Sequence, residues 1–292
     1  MSDPLLDLVT RGVRVFDLGR PMFAGMPQSP NHPRFLHSVT RRHGDVVRAD
    51  GGSAANDLLV TGTHVGTHID ALAHVSHQGL LHGGAEAAAA MEGGRFMEHG
   101  VHTIAPIVGR GVLLDIPATL GTDSCLAGQE ITAADLAATV ERQGTSIGAG
   151  DVVLVRSGWG RRFDQGAESY LGFDTGVPGV GEEGARWLAG HGVLAAGADT
   201  VAFERLAPGE GHALLPAHRV LLVEYGVYIV EALNLEELAL AGQHEFTIII
   251  SPLNVVGATG SPVRPLAVAS KGASNGASNG ASDGSGAGSG HD

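Results

Sequence analysis

Residues 132–156, TAADLAATVERQGTSIGAGDVVLVR, place one helix directly before one strand. Thr132 is an N-cap candidate for a helix over 132–143, and DVVLVR, 151–156, is an apolar run of strand length set off by glycine and aspartate. The same grammar recurs along the chain. Residues 182–191 (EEGARWLAGH) read as a helix ending before Gly192, and 215–225 (LPAHRVLLVEY) as a helix ending at Gly226, with the β-rich VYIV next. Further strand-length runs lie at 13–17, 57–60, 112–116, 193–197 and 246–250. Strands alternating with helices predict an α/β fold, and the antiparallel look of VRVFDLGRP and FLHSVTRRHG makes the sheet mixed. We expect a single domain over 1–268, a mixed β-sheet flanked by helices. Residues 269–292 collapse to Gly, Ala, Ser and Asn, which cannot bury enough apolar area to offset ordering entropy, so a flexible tail is expected there.

Charge narrows the possible partners. Of 292 residues, 31 are acidic and 18 basic, a net charge of −13, and no stretch collects a run of Lys or Arg. That argues against a nucleic-acid surface or a polybasic membrane contact. Cys125 is the single cysteine, so any metal site must be built from His, Asp, Glu or water. The opening MSDPLLDLVTRGVRVFDLG has acidic residues where a signal peptide wants positive charge, and no apolar run approaches bilayer length, so a cytoplasmic protein is expected.

The chemistry concentrates in THVGTHIDALAH, 63–74, with the spacing H-x3-H-x-D-x3-H across His64, His68, Asp70 and His74. On a helix His64 and His68 share a face while Asp70 and His74 point away; on a continuous strand all four share one, but Gly62, Gly66 and the helix-favouring ALAH oppose that. The reading is a glycine-permitted loop after strand 57–60 that delivers His64, His68 and Asp70 inward, with His74 on the first turn of a helix. Two imidazoles and a carboxylate with open positions suit catalytic Zn²⁺ or Mn²⁺, leaving His74 for proton transfer; the bland alternative is a set of scattered surface or capping histidines among the 15 in the chain. Two other motifs fail on context. G-x-S-x-G at Gly272–Gly276 and Gly276–Gly280 lies in the low-complexity tail, and the G-x-G-x-x-G at Gly179–Gly184 lacks a preceding strand and carries Glu182 and Glu183, which would repel a pyrophosphate.

His64-Val-Gly-Thr-His68-Ile-Asp70-Ala-Leu-Ala-His74 resembles the H-x-G-T-H-x-D-x-P-x-H signature of the cyclase-like metal hydrolases, the family of bacterial kynurenine formamidase and isatin hydrolase. The resemblance spans about residues 14 to 257 and includes Asp17–Pro27, Arg156–Gly160, Ala198–Thr200, His218–Leu222 and Gly226–Leu233. It implies the swivelling β/β/α type of fold, a metal held by His64, His68 and Asp70, and His74 as proton acceptor. It also implies His218 and Glu231 as ligands of a possible second metal or as supports of the first. Glu231 closes the apolar VYIV, where an unpaired carboxylate is expensive to bury, which independently suggests a metal or hydrogen-bond role. Leu72 replaces the signature proline, and Gln28-Ser-Pro30 stands where formamidases place a substrate-contacting Trp, so the isatin hydrolase side of the family looks closer. Phe23 and Trp159 are candidates for an apolar substrate pocket, with core as the default for aromatics.

The expected function is hydrolysis of a cyclic amide C–N bond in a small-molecule substrate, with one divalent Mn or Zn per chain, two being the alternative. Arylformamidase and lactone or ester hydrolase are the enzymatic alternatives, and a metal-stabilised binding protein without catalysis is the alternative from another class. By the resemblance the chain should form a homodimer or homotetramer.

Overall fold

A computed structural model describes residues 4–271. Its frame is a nine-stranded mixed sheet: β1 (Val13–Asp17), β2 (His68–Asp70), β3 (Ile107–Asp115), β4 (Val152–Arg156), β5 (Ala195–Ala198), β6 (Tyr228–Glu231), β7 (Glu245–Ile250), β8 (Gly260–Pro262) and β9 (Leu266–Ser270). The spatial order is β1-β9-β7-β3-β4-β5-β6-β2-β8. Neighbours from β3 to β6 run parallel, and the pairings on both sides of this centre are antiparallel. The α/β class with a mixed sheet is therefore as the sequence predicts.

The parallel strands are buried on both faces, so β4 is buried at every position, which is why DVVLVR reads as a continuous apolar run instead of an alternating one. Successive residues serve different cores: Val153 and Val155 pack with Leu136, Leu188 and Leu221 on the helical side, while Val152 and Leu154 pack with Ile69, Val230 and Ile248 on the other. The helical side is covered by α1 (Ala133–Gln143), α2 (Glu182–Gly190) and α3 (Pro216–His218), the last continuing as a π-helical stretch over Arg219–Tyr225. Thr132 does cap α1: its hydroxyl accepts from the Asp135 amide, and the Asp135 carboxylate accepts from the Thr132 amide.

Three expectations are corrected. The run 57–60 is a strand, Asn56–Val60, but it pairs only with Leu36–Arg41 in a two-stranded hairpin exposed at every position, outside the main sheet. His74 sits on a turn closed by its amide to the Ala71 carbonyl at 2.9 Å, not on a helix. The last strand runs to Ser270, opposite Val13, two residues beyond the expected domain end at 268; residues 272–292 and with them both G-x-S-x-G matches lie outside the described residues.

Candidate metal centre

Sheet register assembles the site. Antiparallel pairing of β2 with β6 sets His68 opposite Glu231 and Asp70 opposite Ile229, so His68, Asp70 and Glu231 emerge on one face while Ile69 and Val230 enter the core behind it. The site thereby lies at the carboxyl ends of the parallel strands, where α/β sheets bind ligands. Thr67 clips the two strands together. Its hydroxyl donates to the Ala232 carbonyl at 2.8 Å and accepts from the Arg20 amide at 3.0 Å.

His68 shows what the site is built to hold. Gly66, at φ +71°, turns its carbonyl to accept from His68 Nδ1 at 2.8 Å, which fixes the proton on that nitrogen. The lone pair on Nε2 then faces Asp70 Oδ1 and Glu231 Oε2, each at 3.4 Å. Burial pushes the His68 imidazole down to about 4, so at neutral pH the ring is neutral and its Nε2 carries a lone pair. Asp70 Oδ2 and Glu231 Oε1 are buried without a hydrogen-bond partner among the described residues. The converging lone pairs of His68, Asp70 and Glu231 fit a divalent cation, Asp70 Oδ2 and Glu231 Oε1 facing the His218 ring besides, and a backbone carbonyl orienting the histidine is the usual support for such a ligand.

Two sets of ligand atoms lie within 4.8 Å of one another among the described residues, His68–Asp70–Glu231 and His64–Asp70–His74. The structure thus gathers all four residues of the 63–74 motif and joins Glu231 to them, with Asp70 common to both sets. His64 Nδ1 donates to Asp70 Oδ1 at 2.6 Å and its Nε2 accepts from the Thr259 hydroxyl at 2.9 Å. Gly260 fits beside this ring because it has no Cβ: one there would lie 2.5 Å from His64 Cε1.

His218 closes the site from α3. Glu204, buried at the end of a loop after β5, accepts from the Ala217 amide, the His218 amide and His218 Nδ1, the last at 2.6 Å. That clamp aims His218 Nε2 at Glu231 Oε1, 3.2 Å away, and Asp70 Oδ2, 3.6 Å away. Burial opposes charge on His218, but Asp70, Glu204 and Glu231 outweigh it and raise the imidazole well above its ordinary value. Conversely burial raises the Glu231 carboxyl to about 7. For Asp70 burial pulls upward, yet His74, His64 and His218 hold the carboxyl well below the usual range.

His74 stacks on His64 with ring centroids 3.7 Å apart, and neither of its ring nitrogens has a hydrogen bond among the described residues. Burial lowers its imidazole to about 3, so the ring is neutral at neutral pH. The cavity above these groups holds about 250 Å³ and is walled by Asn31, His32, Tyr170, Val201, His212 and Leu215 over His64, His68, His74, His218 and Glu231. Neither aromatic pocket candidate lines it. Trp159 is fully buried with its indole N–H donating to the Tyr170 carbonyl at 2.7 Å, and Phe23 is half exposed, edge-on to Phe163. Gln28 lines the cavity but folds its amide back, accepting from the Phe35 amide and donating to the Pro33 carbonyl, which shapes the loop carrying His32.

Sequence reasoning missed Glu204, His32, His212 and Thr259. Glu204 carried a usable signal, a single carboxylate in the apolar VAFERL. The other three come from distant loops with no local pattern.

Comparison with known proteins follows the same lines. A family model described as "Putative cyclase" matches residues 16–205. The chain is 25% identical over 226 residues to the isatin hydrolase of Roseibium aggregatum, covering 76% of this chain and 78% of that one. Among solved structures, a novel cyclase superposes with a TM-score of 0.79 at 28% identity, covering 91% of this chain and 93% of the other. A protein described as a predicted metal-dependent hydrolase from Bacillus stearothermophilus superposes with a TM-score of 0.59 at 25% identity, covering 88% and 98%.

Proposed function

The chain belongs to the cyclase family, and from that premise we propose that it is a metal-dependent hydrolase opening a C–N bond of a small cyclic amide, isatin being the model substrate. One observation carries the reading: the unprotonated His68 Nε2 converges with Asp70 and Glu231 on one point, directly beneath a cavity into which the unengaged His74 ring opens. A site meant only to staple a loop needs neither the cavity nor the free imidazole.

His68, Asp70 and Glu231 are the residues that would hold a divalent ion, joined by His64 once its Nδ1 gives up the proton it shares with Asp70, with His218 beside them. Imidazole and carboxylate without thiolate suit Mn²⁺ or Zn²⁺. Such an ion supplies Lewis acidity toward the substrate carbonyl and lowers the pKa of water from near 16 to about 7. The remaining work falls to the chain. His74 accepts the proton of the attacking water and returns it to the leaving nitrogen, its neutral state being secured by burial. Glu204 keeps His218 in place, so its Nε2 proton faces the carboxylates and the cavity stays charge-compensated. The same groups would open a lactone, since the leaving atom is selected by the cavity and not by the ion.

The test is elemental mass spectrometry of protein purified without chelator, with isatin ring-opening followed by absorbance in Mn²⁺ and Zn²⁺. One ion per chain and metal-dependent turnover are expected; two ions would bring His218 in, with Glu231 shared between the centres. His74→Ala should retain the metal while kcat falls by roughly 10²-fold or more. Full turnover in that variant removes His74 from the proton path.

A further inference from the structure

Beside the catalytic cavity lies a second one, about 510 Å³, walled by Pro30, Leu171, Phe173, Leu206, Gly211 and Ala213. The two cavities share three walls, Asn31, Val201 and His212, and so stand side by side. Their characters differ. The first has imidazoles and carboxylates on its floor and a volume of roughly eight waters at ~30 Å³ each, room for a small ring system and little more. The second is lined mostly by apolar side chains, its one carboxylate being Glu210.

The shared wall is also the polar one. His212 belongs to a loop of turns before α3, and its ring nitrogens make no hydrogen bond among the described residues. Asn31 lines both cavities from the loop that Gln28 shapes. Val201 is nearly buried between them. A molecule whose reacting carbonyl lies near His74 would meet this wall next, and anything longer would pass into the apolar space.

We propose that the second cavity is a substrate subsite: the substrate is a ring compound bearing an apolar aryl or alkyl substituent, which crosses between Asn31 and His212 and lodges against Leu171, Phe173 and Leu206. The inference rests on the reading of the first cavity as the catalytic one. His212 then hydrogen-bonds a polar atom at the junction, and the annex selects by length and apolarity without touching the reacting bond. Burying a substituent there removes apolar surface from water, so extension should tighten binding.

The test uses two non-hydrolysable bicyclic probes, indole and 5-phenylindole, titrated by calorimetry into the full chain loaded with Mn²⁺. The wild type is expected to bind 5-phenylindole at least tenfold more tightly than indole. Ala213→Trp, an exposed wall position where a large ring fills the annex without entering the core, should abolish that preference and leave indole within about twofold. Phe173→Ala, which removes an exposed wall, should reduce the preference severalfold. A wild type that binds 5-phenylindole no better than indole, or a preference unmoved by both variants, overturns the subsite. Isatin turnover is measured alongside. Its absence counts against the hydrolase reading, while the probe ratio still decides the annex.

Discussion

At the scale of single residues, the site depends on where protons are absent. His68 has given its one proton to the Gly66 carbonyl, and its other nitrogen faces two carboxylates with nothing between. Glu231→Gln tests that account because it keeps the shape and removes the charge. Bound metal per chain at fixed free Mn²⁺ should fall by roughly tenfold or more, with the far-ultraviolet circular dichroism unchanged. Undiminished metal binding would show that Glu231 is a hydrogen-bonding neighbour only. His64, His68, Asp70 and His74 were legible because a dozen residues hold them at a fixed spacing, and Glu231 because a carboxylate ending an apolar strand demands a partner. Thr259 was not legible because it acts on His64 from 195 residues away, while Glu204, 14 residues before the His218 it clamps, stood out as a carboxylate in an apolar run and was passed over.

At the scale of elements, helices and central strands were legible while the pieces nearest the chemistry were not. α1 and β4 declare themselves through a cap and a continuous apolar run. β2 is three residues long and exists because β6 and β8 flank it, so no periodicity could announce it. The end of β4 is held by an ion-pair cluster: buried Arg156 donates from Nη1 to Asp115 at 2.7 Å and from Nε and Nη2 to the two Glu236 oxygens at 3.0 and 2.9 Å. Burial alone would raise the Glu236 carboxyl, but Arg156 and Arg161 hold it below its ordinary value. A carboxyl depressed in the folded state stabilises fully above its unfolded value, about 4.3, and that contribution is lost as pH falls through the lower folded value. Arg156→Met leaves Asp115 without this partner and should cost about 3 kcal/mol or more at pH 7. In urea unfolding the gap to wild type should narrow below about pH 4, as Glu236 becomes neutral in both proteins. A gap that stays constant from pH 7 to 3.5 would mean lost packing, not lost charge, is the cause.

At the scale of the molecule, one element has too little to hold it. The hairpin of Leu36–Arg41 and Asn56–Val60 is exposed at every position, and its pairings put Leu36 opposite Val60 and Leu58 opposite Ser38 on one face, Leu59 and Val39 on the other. A two-stranded hairpin is marginal in water by itself, and a contiguous exposed apolar surface marks an interaction site. As the occupant we propose a second copy of this chain, on the ground of charge. Over residues 36–60, Arg41, Arg42 and Arg48 match Asp45, Asp50 and Asp57, so the hairpin is neutral in a chain of net charge −13, and two copies can meet there without the repulsion their bodies would exert. Pairing the same face about a two-fold axis makes the contact self-complementary. Sedimentation equilibrium at micromolar protein should give a dimer or a multiple of it. Leu58→Asp, which sets a carboxylate in the middle of the apolar face, should shift the chain to monomer and lower Tm. The consequence should reach the metal centre, because the two strands of the hairpin continue directly into the loops that carry His32 and His64. Ring-opening activity in Leu58→Asp should therefore recover as protein concentration drives reassembly. A wild type that sediments as a monomer, or a monomeric Leu58→Asp with full activity at every concentration, would leave the hairpin without that partner.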